Sequence, residues 1–174
     1  MKARTLIAAC AAAVLLAACE TTPTEPLRAS AQLKPTKGNK TVGEVIFEQA
    51  GSKVRVHVAV QALKPGQEHG FHIHEVGDCS SGDGMSAKGH FNPYGKPHGH
   101  YGSAERHAGD LPALKANAKG RAVVQFEVDT ITLEPGPANI IGRSVIVHAQ
   151  RDDYKTQPTG DAGARLACGV IVRE

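Results

Sequence analysis

Six side chains in one stretch of the sequence, with a seventh further on, have the types and spacing to hold metal ions. They are His72, His74, His90, His98, His107 and Asp110, followed at a distance by His148. Seven of the nine histidines lie between His69 and His107. Imidazole and carboxylate are borderline ligands suited to copper and zinc. The single residue between His72 and His74 puts both imidazoles on one face of an extended strand, with Phe71 and Ile73 turned the other way as core residues. One histidine in a glycine-rich loop is usually only a solvated side chain. Here an HxH pair is followed by a cluster that ends in His-x-x-Asp. The intervening loop is rich in glycine and proline, too long to be a passive connection in a compact domain, and a bound metal would order it. Cysteine thiolates are absent from the cluster, which disfavours a pure Cu(I) carrier site.

These ligands need elements to position them, and the alternation of apolar residues supplies strands. Val54, Val56, Val58 and Val60 alternate with Arg55, His57, Ala59 and Gln61, so 53–61 is a strand with His57 on its polar face. Strands are also expected at 42–49, 70–75, 122–128, 144–149 and 166–172, with Leu33 marking a short first one. Turns fall at Pro35 to Asn39, Lys64 to Gln67 and Glu134 to Pro137. No segment carries a helical period. Six to eight short strands with long connections predict an all-β, antiparallel sandwich or flattened barrel. The second long loop runs from Gln150 to Ala164. The absence of Trp counts against a true immunoglobulin domain.

The 174 residues accommodate one domain of about 140 to 150 residues once an N-terminal appendage is set aside. The formal charge is +3, and no Lys/Arg cluster interleaves with aromatics, so nucleic acid is not an expected partner. Lys2 and Arg4 precede an apolar run from Leu6 to Ala18, too short to span a bilayer, which needs about 20 residues. The segment 1–18 is expected to be a secretory signal. Leu16-Ala17-Ala18-Cys19 resembles a bacterial lipoprotein box with Cys19 as the acylated first residue, and an ordinary signal peptide cut near Ala18 is the alternative. Residues 19–30 are expected to be a flexible tether and 31–174 the folded domain. Export implies an oxidising compartment, leaving Cys79 and Cys168 available as one disulfide.

Five segments carry a family resemblance: Gly70-Phe-His-Ile-His-Glu75, Gly89-His-Phe-Asn-Pro93, Arg106-His-Ala-Gly-Asp-Leu111, Gly142-Arg-Ser-Val-Ile-Val-His148 and Gly163-Ala-Arg-Leu-Ala-Cys-Gly-Val-Ile171. In content, order and spacing they resemble the copper/zinc superoxide dismutases in their exported bacterial form. The resemblance implies a Greek-key β-sandwich with two long functional loops, and dismutation of superoxide to dioxygen and hydrogen peroxide by copper cycling between Cu(II) and Cu(I). It makes His72, His74, His90 and His148 copper ligands, and His90, His98, His107 and Asp110 zinc ligands. His90 then bridges both metals and carries a proton to peroxide, while zinc, having no redox chemistry, is structural. Asp152 becomes the carboxylate linking His72 to His98, and Cys79 and Cys168 the intrachain disulfide. Arg165 becomes the guanidinium that attracts the anion, opposite Thr159. His69 becomes a structural histidine bonded to backbone, and His100 receives no role. The leader and the box at Cys19 imply a periplasmic protein held to a membrane through Cys19, and the sequence allows a homodimer.

The chain departs from the family pattern in two places. Cys79 follows His74 by only five residues, and the 150–164 loop lacks the familiar Glu/Lys cluster, leaving Lys155 as one candidate for steering. The competing functions are an exported copper-handling protein on the same fold and an envelope lipoprotein with a zinc-ordered loop and no redox role.

Overall fold

The computed structural model describes residues 25–174. The signal segment, Cys19 and the first half of the expected tether therefore lie outside the described residues. Ten strands follow in order: β1 (Arg28–Pro35), β2 (Val42–Ala50), β3 (Lys53–Gln61), β4 (Glu68–His69), β5 (Phe71–His74), β6 (Leu114–Lys115), β7 (Ala122–Val128), β8 (Ser144–His148), β9 (Arg165–Val170) and β10 (Val172–Arg173). The one helical element described is a short 3₁₀ turn at Met85–Ala87. Strand β1 begins at Arg28, so ordered sheet starts three residues before the expected domain boundary at 31. Leu33 lies near the end of an eight-residue strand rather than at the centre of a short one.

Eight strands form one continuous antiparallel sheet in the order β5-β8-β9-β1-β2-β3-β7, with β10 also against β1, and β4 pairs separately with β6. The curl arises at β1. Its first six residues pair with β2, whereas Lys34 and Pro35 pair with β9, so a single strand belongs to both halves. A distant strand beside the first of a three-strand meander, β9-β1-β2-β3, is the Greek-key return.

The register follows from the alternation. Val54, Val56, Val58 and Val60 are buried and meet Val45 and Phe47 of β2 and Ala122 and Val128 of β7. On the outer face the same ladder aligns Arg28, Glu48, Arg55 and Glu127, with Arg28–Glu48 at 3.5 Å and Arg55–Glu127 at 3.2 Å. Exposed ion pairs of this kind contribute about 0–1 kcal/mol each. Burial of one branched aliphatic side chain stabilises by about 1.5–3 kcal/mol. The inward valines therefore set the register, because a one-residue slip would expose them all. His57 stands on the outer face, 3.5 Å from Glu48.

Phe47 is fully buried at the centre of this core. Phe47→Ala is expected to destabilise the domain by about 3–5 kcal/mol, read from urea unfolding at constant slope.

Candidate metal centre

The ligand-bearing strand β5 is buried along its whole length, its two faces serving different purposes. Phe71 and Ile73 enter the hydrophobic core, and His72 and His74 face the loops. Backbone bonds hold those loops against the strand. Phe91 N donates to Ile73 O at 2.8 Å, Gly109 N to Phe91 O at 2.9 Å, and Ile73 N to Gly109 O at 3.0 Å. A Cβ at residue 109 would stand 2.3 Å from Ile73 O, so only glycine permits this approach. His90 and Asp110 are thereby placed opposite His74 and His72.

Two groups of four potential ligand atoms result, each with all its atoms within 4.8 Å of one another: His72, His74, His90 and His148, and His90, His98, His107 and Asp110. All seven residues are buried, and His90 is common to both groups. Every candidate ligand named from the sequence is among them. His100 stands outside, its ring 4.3 Å from that of Tyr101 and 4.7 Å from that of Tyr154. His69 donates from Nδ1 to His148 O at 2.8 Å, the structural role expected of it.

The hydrogen bonds show which nitrogens are free. Asp152 Oδ2 accepts from His72 Nε2 at 2.7 Å, and its Oδ1 accepts from His98 Nε2 at 2.9 Å. His74 Nδ1 donates to Lys88 O at 2.8 Å, and His148 Nδ1 to Gly163 O at 3.3 Å. With these protons placed, His74 Nε2 and His148 Nε2 present lone pairs to each other 3.3 Å apart. Two acceptors do not bond, and a cation between them removes the conflict. His72 Nδ1 and His90 Nε2 are buried with no partner, as are His98 Nδ1 and His107 Nδ1 in the second group. His98 Nδ1 approaches Asp110 Oδ2 at 3.0 Å without hydrogen-bond geometry. Orphaned buried nitrogens converging on two points are a donor set for two metal ions.

Electrostatics agree with that use. Burial lowers the pKa of His72, and burial with neighbouring imidazoles holds His74 and His148 well below their ordinary range. His90 is pushed down to about 3, mainly by burial and by His72. Neutral imidazole is the ligating form. Burial also opposes charge on His98, but the Asp110 and Asp152 carboxylates against its two ring nitrogens outweigh it and raise its pKa to about 9. A cation entering the second group must release that proton. Burial alone would raise the pKa of Asp110, yet the imidazoles of His107, His90 and His98 around it hold it well below the carboxylate range.

Three supports of the centre went unnoticed in the sequence. Gln157 clamps the His98 backbone, accepting from its N–H at 2.9 Å and donating to its carbonyl at 2.9 Å. Tyr154 takes a left-handed φ of 61°, and its N–H donates to Asp152 Oδ1 at 2.7 Å. Gly160 leaves room for the Asp152 bridge, since a Cβ there would lie 2.0 Å from Asp152 Oδ1 and 2.5 Å from His98 Nε2. None of these has a local signature beyond the glycine itself.

The centre opens into a cavity of about 550 Å³ lined by His74, His148, Thr159 and Arg165, among others. Arg165 donates from Nη1 to Gly84 O and from Nη2 to Lys88 O, both at 2.6 Å. Lys88 O therefore serves Arg165 and His74 together. Cys79 and Cys168 are disulfide-bonded with Cα atoms 5.8 Å apart, tying the Glu75–Gly89 loop to β9 three residues beyond Arg165.

The copper/zinc superoxide dismutase (SODC) family model matches residues 41–171, most of the described chain. The chain belongs to the copper/zinc superoxide dismutase family. A relative named "Superoxide dismutase [Cu-Zn] 2" from Aquifex aeolicus is 40% identical over 151 residues, covering 84% of this chain and 88% of its own. "Extracellular superoxide dismutase [Cu-Zn]" of Caenorhabditis elegans is 37% identical over 166 residues, covering 90% and 74%. Among solved structures, the clock protein EA4 superposes with a TM-score of 0.77 at 40% identity, covering 88% of this chain and 98% of its own. Copper and zinc are the metals of this family, and the imidazole-carboxylate donor set fits both.

If the Asp152 bridge orients the ligands, Gly160→Ala should weaken retention of metal about 10- to 100-fold, the usual range for a lost outer-shell partner. Gly142 also has a positive φ, 77°, but open space around it. Gly142→Ala should cost only about 1 kcal/mol of backbone strain and leave copper and zinc content unchanged in competition with a chelator.

Proposed function

We propose that this protein is an exported superoxide dismutase in which His72, His74, His90 and His148 hold copper and His90, His98, His107 and Asp110 hold zinc. The observation that carries the reading is the set of buried, unpartnered imidazole nitrogens converging beside His74 and His148, which line a cavity together with Arg165. Bound copper supplies the one-electron chemistry, and bound zinc, without redox chemistry, supplies charge and order.

The chain's own residues do the rest. Two superoxide anions and two protons give one dioxygen and one hydrogen peroxide, so the site must attract an anion twice and provide protons. Arg165 supplies positive charge at the cavity wall, fixed by two carbonyls so that little reorganisation accompanies anion approach. His90 Nε2 is the atom at which a proton can be held between turnovers and passed to the product. Asp152 keeps His72 and His98 in fixed tautomers by accepting from both. Thr159, lining the cavity with Arg165, narrows the approach.

Residues 1–18 are read as a secretory signal, Cys19 as the acylated mature terminus and residues 19 to about 27 as the tether, placing the dismutase domain in the periplasm on a membrane anchor. The Cys79–Cys168 disulfide and the extracellular relative support export. A homodimer is the assembly proposed.

Purified metal-loaded protein should accelerate superoxide decay, lose that activity on chelation and regain it with copper. His148→Ala should abolish both copper retention and activity while keeping zinc. An exported copper carrier without turnover would bind copper and leave superoxide decay unchanged, contradicting the reading. Cys19→Ala should move the protein from the detergent phase to the aqueous phase with activity intact, and an unmodified mature N-terminus by mass spectrometry would contradict the anchor.

A further inference from the structure

The cavity above the metal centre has a wall that the β1–β2 turn supplies, well outside the ligand loops. Thr36 anchors this turn to β9: its N–H donates to Leu166 O at 3.0 Å and its Oγ1 to Arg165 O at 2.6 Å. Asn39 Nδ2 donates to Thr36 Oγ1 at 2.8 Å, closing the turn on itself. Lys37 N donates to Gly82 O at 2.6 Å, binding the turn to the disulfide-bonded loop as well. The turn is thus fixed to the two segments that hold Arg165, and the exposed Lys37 side chain lines the same cavity as His74, His148 and Arg165.

Charge around this cavity is balanced between opposing groups. Asp83 and Asp161 line it beside Lys37 and Arg165. Without Lys37 the cavity wall would carry two carboxylates against one guanidinium, an unfavourable field for an anion. Lys155, the steering candidate suggested by the sequence, is exposed on the 150–164 loop and is not among the residues lining this cavity.

We propose that Lys37 is a second cation drawing small anions toward the metal centre, acting with Arg165 and against Asp83. The inference rests on the dismutase reading for the identity of the anion, superoxide, and on the cavity geometry for the identity of the residue. Lys37 is a positioning residue: its charge biases encounter and takes no part in electron or proton transfer. A unit charge about one Debye length away in water changes an encounter rate about twofold, and reversal of its sign about fourfold.

The test compares wild type, Lys37→Gln, Lys37→Arg, Lys37→Glu, Asp83→Asn and Lys155→Gln, each metal-loaded to equal copper content. Two quantities are measured: the rate of superoxide decay against ionic strength, and the dissociation constant of azide, a small monoanion, by absorption titration. Lys37→Gln is expected to slow decay about twofold at low salt, flatten the salt dependence and weaken azide by a similar factor. Lys37→Glu should do so more strongly, Lys37→Arg should restore wild-type values, and Asp83→Asn should raise the rate and tighten azide. Lys155→Gln should change neither. Equal rates, salt slopes and azide affinities for wild type and Lys37→Gln would overturn the proposal, as would a loss seen with Lys155→Gln instead. A loss that Lys37→Arg fails to restore would also overturn it, since the turn and not the charge would then be responsible. A wild type that leaves superoxide decay unchanged overturns the dismutase reading itself, and the azide titration then still decides whether Lys37 draws anions.

Discussion

Two buried carboxylates organise this site, and most of the loop structure exists to satisfy them. An ionised carboxylate without partners in a protein interior costs several kcal/mol. Asp110 is nearly inaccessible, yet it accepts from His90 Nδ1 and from the backbone N–H groups of Gly99 and His107. Asp152 is equally buried and accepts from His72, His98 and the Tyr154 backbone. Each bond that offsets the cost also fixes one imidazole ring. The penalty for burying charge is thereby converted into positioning of four of the six candidate histidines, His72, His90, His98 and His107, with His74 and His148 fixed by carbonyls instead. Loss of either carboxylate would free rings that nothing else holds.

The sheet contributes rigidity and direction. Strands β5 and β8 pair antiparallel, so His72 lies opposite Ile146 and Phe71 opposite Val147, with His148 one residue further along the ladder. The ligands thus begin on elements that the valine core locks, and the loops are then drawn in by Asp110, Asp152 and the disulfide. Arg165 belongs to both systems, since it starts β9 and its guanidinium is held by carbonyls of the disulfide loop. The His74 ring and the guanidinium proposed to attract substrate therefore share Lys88 O as a common acceptor.

What the sequence made legible follows from which physics is local. Strand β3 was readable to the residue because period-two alternation is a property of neighbours in the chain. The HxH pair was readable for the same reason. Strand β1 was underestimated because its inward residues, Ala29 and Ala31, are small and its outward ones polar, which gives little contrast. The two-residue strands β4, β6 and β10 exist only through their partners and have no pattern of their own. Asp152 was identified through family resemblance alone, for nothing near it in sequence marks it as a bridge. Gly160 acts by lacking a Cβ at a point where two distant loops meet, and Lys37 by projecting from a turn onto a cavity built elsewhere. Both effects arise from tertiary approach, which chain-local patterns do not encode.

The central claim is that seven side chains form two metal sites sharing one imidazole. Anomalous scattering from crystals of the copper- and zinc-loaded protein, measured on both sides of each absorption edge, tests it most directly. The account requires one copper peak among His72, His74 and His148, one zinc peak among His98, His107 and Asp110, and the His90 ring between them. A single peak, or two peaks with His90 bound to neither, would contradict it.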